Sequence, residues 1–111
     1  MLNQLVIIGR LTKEPELRKT ENGKKVSNIT LAVQRGYKNV NGVYDTDFID
    51  CVLWNNVAES TTEYCKKGDL LGVRGRIQTR VYEKDEETKY VTEVVAEKVT
   101  FLSGKRKEEA E

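Results

Sequence analysis

Hydrophobic and polar residues alternate along most of this chain, and one stretch of a different period interrupts them. Alternation at every second residue is typical of strands that bury one face. It is found in four segments: residues 26–35, 46–54, 70–82 and 89–102. Residues 2–11 also read as a strand, although both of its faces are apolar, and residues 57–67 carry apolar side chains at helical spacing. The pattern predicts five strands with one helix between the third and the fourth.

Turn residues separate the predicted strands. The dipeptides Asn22-Gly23 and Asn41-Gly42 favour the positive φ angles of tight hairpin turns. An acidic stretch, residues 83–88, joins the last two strands, and we expect it to form a long mobile hairpin loop.

The helix is bounded by residues with terminal preferences. Asn56 and Glu59 have the spacing of a capping box at its start. Lys66 and Lys67 would lie in the last turn, where cations suit the helix dipole, and Gly68 would end the helix.

The third strand places aromatic rings opposite its core side. One parity is purely apolar and predicts core: Ile49, Cys51 and Leu53. The other parity holds Phe48 and Trp54 together with Asp50, and a face with a charge is rarely buried fully. Tyr37 follows Gly36, where a bulge would turn its ring outward. These rings are candidates for an exposed binding surface, and the alternative is that a strand, the helix or a subunit covers them.

A row of cations follows one side of the fourth strand. The outward parity carries Arg74, Arg76, Gln78, Arg80 and Tyr82. Guanidinium groups meet phosphates, and rings and guanidinium planes accept stacked bases, so this row is typical of a platform for single-stranded nucleic acid. The alternative is a solvated face whose arginines pair with acidic neighbours.

Composition limits the other possibilities. The chain has 111 residues, of which 19 are basic and 18 acidic, so any basic site is local. It has no histidine, so the commonest zinc ligand is missing. Cys51 and Cys65 fit reduced thiols better than a disulfide or a metal site. We expect one soluble, cytoplasmic domain without a cofactor, since no long apolar run indicates a membrane segment.

The first strand bears on assembly. Leu5 and Ile7 share one face and their apolar neighbours share the other. A strand covered on both faces in so small a domain suggests a contact with a second subunit, and an internal central strand is the alternative.

The order of elements is that of an OB-fold, a five-stranded Greek-key barrel that belongs to the all-β class. We expect it to occupy residues 1–102, followed by a short disordered charged tail over residues 103–111.

Five ordered segments carry a family resemblance. They read LNQLVIIGRLTKEPELR (2–18), VSNITLA (26–32), YCKKG (64–68), GRIQTR (75–80) and YVTEVV (90–95). With the aromatic third strand, they resemble the bacterial single-stranded DNA-binding proteins over nearly all of residues 1–102. The resemblance implies a homotetramer of OB-folds that coats single-stranded DNA in replication, recombination and repair and catalyses no reaction.

The resemblance also assigns residues. The base-stacking aromatics of the family fall at Tyr37, Phe48, Trp54 and Tyr82. The matching phosphate-binding cations are Arg35, Lys67, Arg74, Arg76 and Arg80, with Lys38 and Lys84 as looser candidates. Many family members have tryptophan at three of the four ring positions, and stacking survives the exchange because every ring has a π face. The end of the chain departs from the family, since Glu111 closes it without a long acidic-tipped tail; we therefore expect a short form that recruits partner proteins weakly or not at all.

Two other function classes are open to this sequence. Asp45, Asp47 and Asp50 would be the ligands of a two-metal nuclease, but Asp47 and Asp50 have opposite parity. An OB-fold subunit that docks proteins without binding nucleic acid would need no outward row of arginines.

Overall fold

The computed structural model describes residues 1–104. The elements in chain order are β1 (Leu5–Leu11), β2 (Arg18–Lys19), β3 (Lys25–Lys38), β4 (Tyr44–Trp54), α1 (Asn55–Tyr64), β5 (Leu70–Lys84) and β6 (Glu87–Ser103). Five long strands with one helix after the third are thus confirmed, and β2 is an additional strand of two residues. The expected tail, with its weak recruitment of partners, falls mainly on residues 105–111, which lie outside the described residues.

The strands form one sheet that closes on itself. Their order is β1-β5-β6-β4-β3-β2, and β1 also pairs with β3 through Arg10 and Leu11. All pairs are antiparallel except β4 with β6, which run parallel and meet only at Cys51–Val94 and Val52–Val95. This closed arrangement, with α1 packed on β3, β4 and β6, confirms the predicted five-stranded OB-fold.

The core fills the barrel from the predicted parities. Its most deeply buried apolar side chains are Ile29, Leu31, Cys51, Leu53, Leu71 and Val73. Ala58 of α1 joins this cluster, so the helix closes one region of the barrel. Ile49 packs against the same cluster while remaining partly exposed.

Gly75 lies at a close approach between β5 and β6. The pairing register of these strands shifts between Arg74 and Gly75. A Cβ atom built on Gly75 would lie 2.1 Å from the carbonyl oxygen of Val95, which is backbone and cannot rotate away. Only glycine fits at this point without separating the two strands.

The start of α1 differs from the prediction. Trp54 is the N-cap residue, Asn55 follows with φ 51°, and no side chain within residues 1–104 caps the helix. The predicted capping box of Asn56 and Glu59 is therefore wrong. Because the helix begins directly at the last residue of β4, Glu59 lies close to β3 and forms an ion pair with Lys25.

The end of α1 comes earlier than predicted. The helix ends at Tyr64, and the Cys65 N–H donates to the carbonyl of Thr61. Lys66 and Lys67 therefore lie beyond the last turn. Among residues 1–104, no helix is long and apolar enough to cross a membrane.

Two turns lie at the Asn-Gly dipeptides where the sequence predicts them. Gly23 and Gly42 both have positive φ, at 82° and 77°. The mobile loop expected over residues 83–88 is wrong, because β5 and β6 stay paired up to a two-residue turn in which Asp85 and Glu86 have φ 52° and 65°. Continuous strand pairing holds these two residues in a backbone region that non-glycine residues rarely adopt.

Candidate nucleic-acid interface

The outer face of β4 carries its even-numbered residues. Burial alternates along the strand, and Phe48 and Trp54 remain 66% and 37% exposed. Asp50 lies on the same face and accepts a hydrogen bond from the Thr30 hydroxyl at 2.8 Å. Val52 is the exception, because Val26 and Val95 of the neighbouring strands cover it.

A groove lies across the outer face beside Trp54. It has a volume of about 320 Å³, and its lining includes Val26, Val52 and Trp54 with Arg18 and Arg80. The remaining lining residues are polar or charged: Thr20, Asn28, Gln78 and Glu93. The arrangement combines an aromatic ring and apolar surface with two cations, and can therefore hold a flat base and its phosphate.

The arginine row on β5 is oriented by its neighbours. Arg80 Nε donates to Glu93 Oε1 at 3.1 Å, and its guanidinium carbon lies 5.7 Å from the centroid of the exposed Tyr82 ring. Arg76 donates through Nη1 to Gln78 Oε1 at 3.1 Å. The structure thus brings Arg80, Tyr82 and Trp54 to one side of the barrel.

Arg74 occupies a different neighbourhood. It is exposed and lies in register between Val6 of β1 and Lys98 of β6. It does not line the groove beside Trp54.

Arg35 is held by acidic side chains of β4. Its Nε and Nη2 donate to the two carboxylate oxygens of Asp47, each at 3.0 Å, and Asp45 lies 3.8 Å from Nη1. The hydrogen bond from Arg35 lowers the pKa of Asp47, and the carboxylates, Asp47 first, raise the pKa of Arg35. The pair is therefore ionised at neutral pH, and a phosphate that binds Arg35 competes with Asp47.

Two further predicted site residues lie away from the groove. Tyr37 is exposed on the β3–β4 hairpin, within the register irregularity between Gln34 and Lys38 that also includes Gly36. Lys67 is exposed in the turn after α1, where its backbone N–H donates to Glu14 Oε1 at 3.2 Å.

Leu5 and Ile7 point toward the barrel. Both pack against the core cluster, and both line a recess of about 280 Å³ with Phe48 where β4 and β6 part. Val6 and Ile8 are the exposed residues of β1.

Sequence reasoning missed several residues that line the groove, among them Arg18 and Asn28. Arg18 belongs to β2, and a strand of two residues has no period that a pattern could reveal. Asn28 had a usable signal, since it has the same outward parity as Thr30 and Gln34 of β3.

The nuclease alternative receives no support from the carboxylates. Asp45 and Asp47 turn to Arg35 on one face of β4, whereas Asp50 turns to Thr30 on the other. Within residues 1–104, no three His, Cys, Asp or Glu side chains converge on a position for a metal ion.

Both cysteines are free and buried. Burial, with a smaller contribution from Asp50, raises the pKa of Cys51 to about 12. Burial also raises the pKa of Cys65. Both thiols are therefore protonated at neutral pH and act as small core residues.

Comparisons with known proteins agree with this geometry. The chain is 50% identical over 111 residues to single-stranded DNA-binding protein B of Bacillus subtilis (strain 168), which covers 99% of this chain and 98% of that protein. It is 54% identical over 103 residues to the single-stranded DNA-binding protein of Halalkalibacterium halodurans, covering 92% of this chain and 61% of the longer relative.

A solved structure shows the same fold. It is the crystal structure of a deletion mutant of the single-stranded DNA binding protein from Thermus aquaticus, with a TM-score of 0.78 and 33% identity over 94% of this chain and 52% of that one. The model of the Single-strand binding protein family matches residues 2–102. The expected resemblance is thereby confirmed, and the chain belongs to the single-strand binding protein family.

Proposed function

We propose that this protein binds single-stranded DNA without sequence preference and coats it during replication, recombination and repair. The observation that carries the proposal is the groove that Trp54, Arg18 and Arg80 line together. Relatives that are named single-stranded DNA-binding proteins match almost the whole chain, which supports the same function. A cytoplasmic location belongs to the proposal, because the chromosomal single strands to be coated lie there.

Binding would use stacking and charge together. Bases stack on Trp54, Phe48, Tyr82 and Tyr37, and each stacked base contributes about 1 to 3 kcal/mol. Arg80 can donate through its remaining N–H groups to a phosphate while Glu93 holds its Nε. Every base has a π face, so these contacts select single strands without selecting a sequence. The protein would bind and release DNA without catalysing a reaction.

The salt dependence of binding tests the function. If about four phosphates are neutralised, log K for oligo-dT should fall with log salt at a slope of about −3. Arg80→Gln should make the slope shallower by about 0.7, because one phosphate contact is lost. Lys13→Gln, which removes an exposed cation outside the groove, serves as the control. Absent or salt-insensitive binding would favour the alternative, an OB-fold subunit that docks proteins. A parallel titration with oligo-U compares the affinity for RNA with the affinity for DNA.

Releasing Arg35 should strengthen DNA binding. Asp47→Asn removes the charge that holds the guanidinium, so Arg35 becomes available to a phosphate and the salt slope should steepen by about 0.7. Glu63→Gln removes the same charge from the exposed surface of α1 and should change neither the affinity for DNA nor the salt slope. Unchanged or weaker binding by Asp47→Asn would show that Arg35 serves the hairpin alone.

We also propose that the protein is a homotetramer. Among the described residues, the Leu5–Gly9 part of β1 pairs with β5 only, which leaves one edge of the strand open, and Val6 and Ile8 are exposed. Leu5 and Ile7, on the other face of β1, remain predicted contact residues. Light scattering should give about four chain masses at micromolar concentration, and Ile8→Lys should yield smaller species. A monomeric wild-type protein would contradict the proposal.

A further inference from the structure

Tyr44 lies on the same face of β4 as Phe48 and Trp54. Exposed and partly buried residues alternate without a break from Tyr44 to Asp50, and Tyr44 is 45% exposed. With a rise of about 3.4 Å per residue, Tyr44 lies about 14 Å from Phe48 along the strand, and Phe48 about 20 Å from Trp54. The strand therefore presents three rings in a row.

The charges around Tyr44 are sorted between the two faces of the hairpin. Asp45 and Asp47 lie on the opposite face, where Asn39 and Arg35 bind them. On the face of Tyr44, the cross-strand partner is Lys38, whose Nζ lies 5.6 Å from the ring centroid. A DNA strand that approaches this face would meet the Tyr44 ring and the Lys38 ammonium group. The carboxylates of Asp45 and Asp47 lie on the opposite face, where Asn39 and Arg35 already bind them.

We propose that Tyr44 is a further base-stacking residue and that Lys38 contacts the adjacent phosphate. The single strand would continue from the groove at Trp54 past Phe48 to the β3–β4 hairpin. This inference rests on the proposed function, since the same face of the same strand carries both. The set of rings implied by the family resemblance does not include Tyr44, so the additional ring lengthens the path of DNA on this chain.

The matched pair of variants is Tyr44→Ala and Tyr64→Ala. Tyr64 is the same residue type, is 71% exposed, and stands at the end of α1. Binding of an oligo-dT of about 30 nucleotides is measured by anisotropy. Tyr44→Ala should weaken binding about 5- to 160-fold, the loss expected for one stacked base, and Tyr64→Ala should leave it unchanged. Tyr44→Phe keeps the ring and should bind as the wild type does.

A further variant and a crosslinking experiment distinguish the possible reasons for a negative result. Tyr44→Leu keeps an apolar strand residue without a π face, so weak binding by a variant with unchanged thermal unfolding identifies stacking as the cause. An oligonucleotide with 5-iodouracil should photocrosslink to Tyr44. If Tyr44→Ala and Tyr44→Leu bind as Tyr64→Ala does while Phe48→Ala binds more weakly, the inference is wrong and the proposed function stands. If Phe48→Ala also binds normally, the DNA-binding face itself is wrong.

Discussion

Gly75→Ala is expected to destabilise the barrel by about 3 kcal/mol or more, because overpacking at a backbone contact forces strands apart. The new methyl group would lie 2.1 Å from the Val95 carbonyl oxygen, so β5 and β6 must separate where their register shifts. Urea unfolding measures the change. We expect a lower midpoint with an unchanged slope.

Gly72→Ala is the control on the same strand. Its Cβ would meet the Leu102 side chain at 3.6 Å, an ordinary van der Waals contact. Alanine there should leave stability unchanged or raise it by about 0.4 to 1 kcal/mol through the unfolded state. Equal effects of the two substitutions would contradict the close approach at Gly75.

Trp54→Ala is expected to weaken binding of oligo-dT by about 1 to 3 kcal/mol, the loss of one stacked base. Trp54 is the only tryptophan of the chain, so its fluorescence in the wild type should be quenched as DNA binds. Anisotropy of a labelled oligonucleotide measures the affinity of the variant, which has no tryptophan signal.

The Trp54→Phe variant distinguishes a loss of base stacking from a disturbance of the structure. Phenylalanine keeps a π face over Val26 and Val52 in the groove, and should retain most of the affinity. Wild-type fluorescence that stays constant at saturating oligo-dT would show that bases do not reach Trp54.

The strands could be predicted because each long strand buries one face. Their periodicity records the boundary between core and solvent, which is why Cys51 and Leu53 were assigned inward and Phe48 and Trp54 outward. The order of elements then indicated an OB-fold, and the family resemblance implied the same fold.

Features that depend on tertiary contacts could not be predicted in the same way. The capping box failed because the turn from β4 into α1 brings Glu59 to Lys25. Arg35 was assigned to phosphate binding, and no local pattern could show that Asp47 would hold it across the hairpin. The turn at Asp85 and Glu86 contains no glycine, so the sequence signal for a two-residue turn was missing.

The alternation on β4 also has an entropic consequence. Fixing a backbone costs about 1 to 2 kcal/mol per residue, and a disordered DNA-binding segment meets that cost when it binds. Here folding itself orders the backbone beneath Phe48 and Trp54, since the inward residues Cys51 and Leu53 are locked in the core. A slip of one residue would bury the rings and expose the core, so the packing that secures the fold also secures their orientation. The free energy of the proposed base stacking on these rings is then available for affinity instead of being used to order the protein.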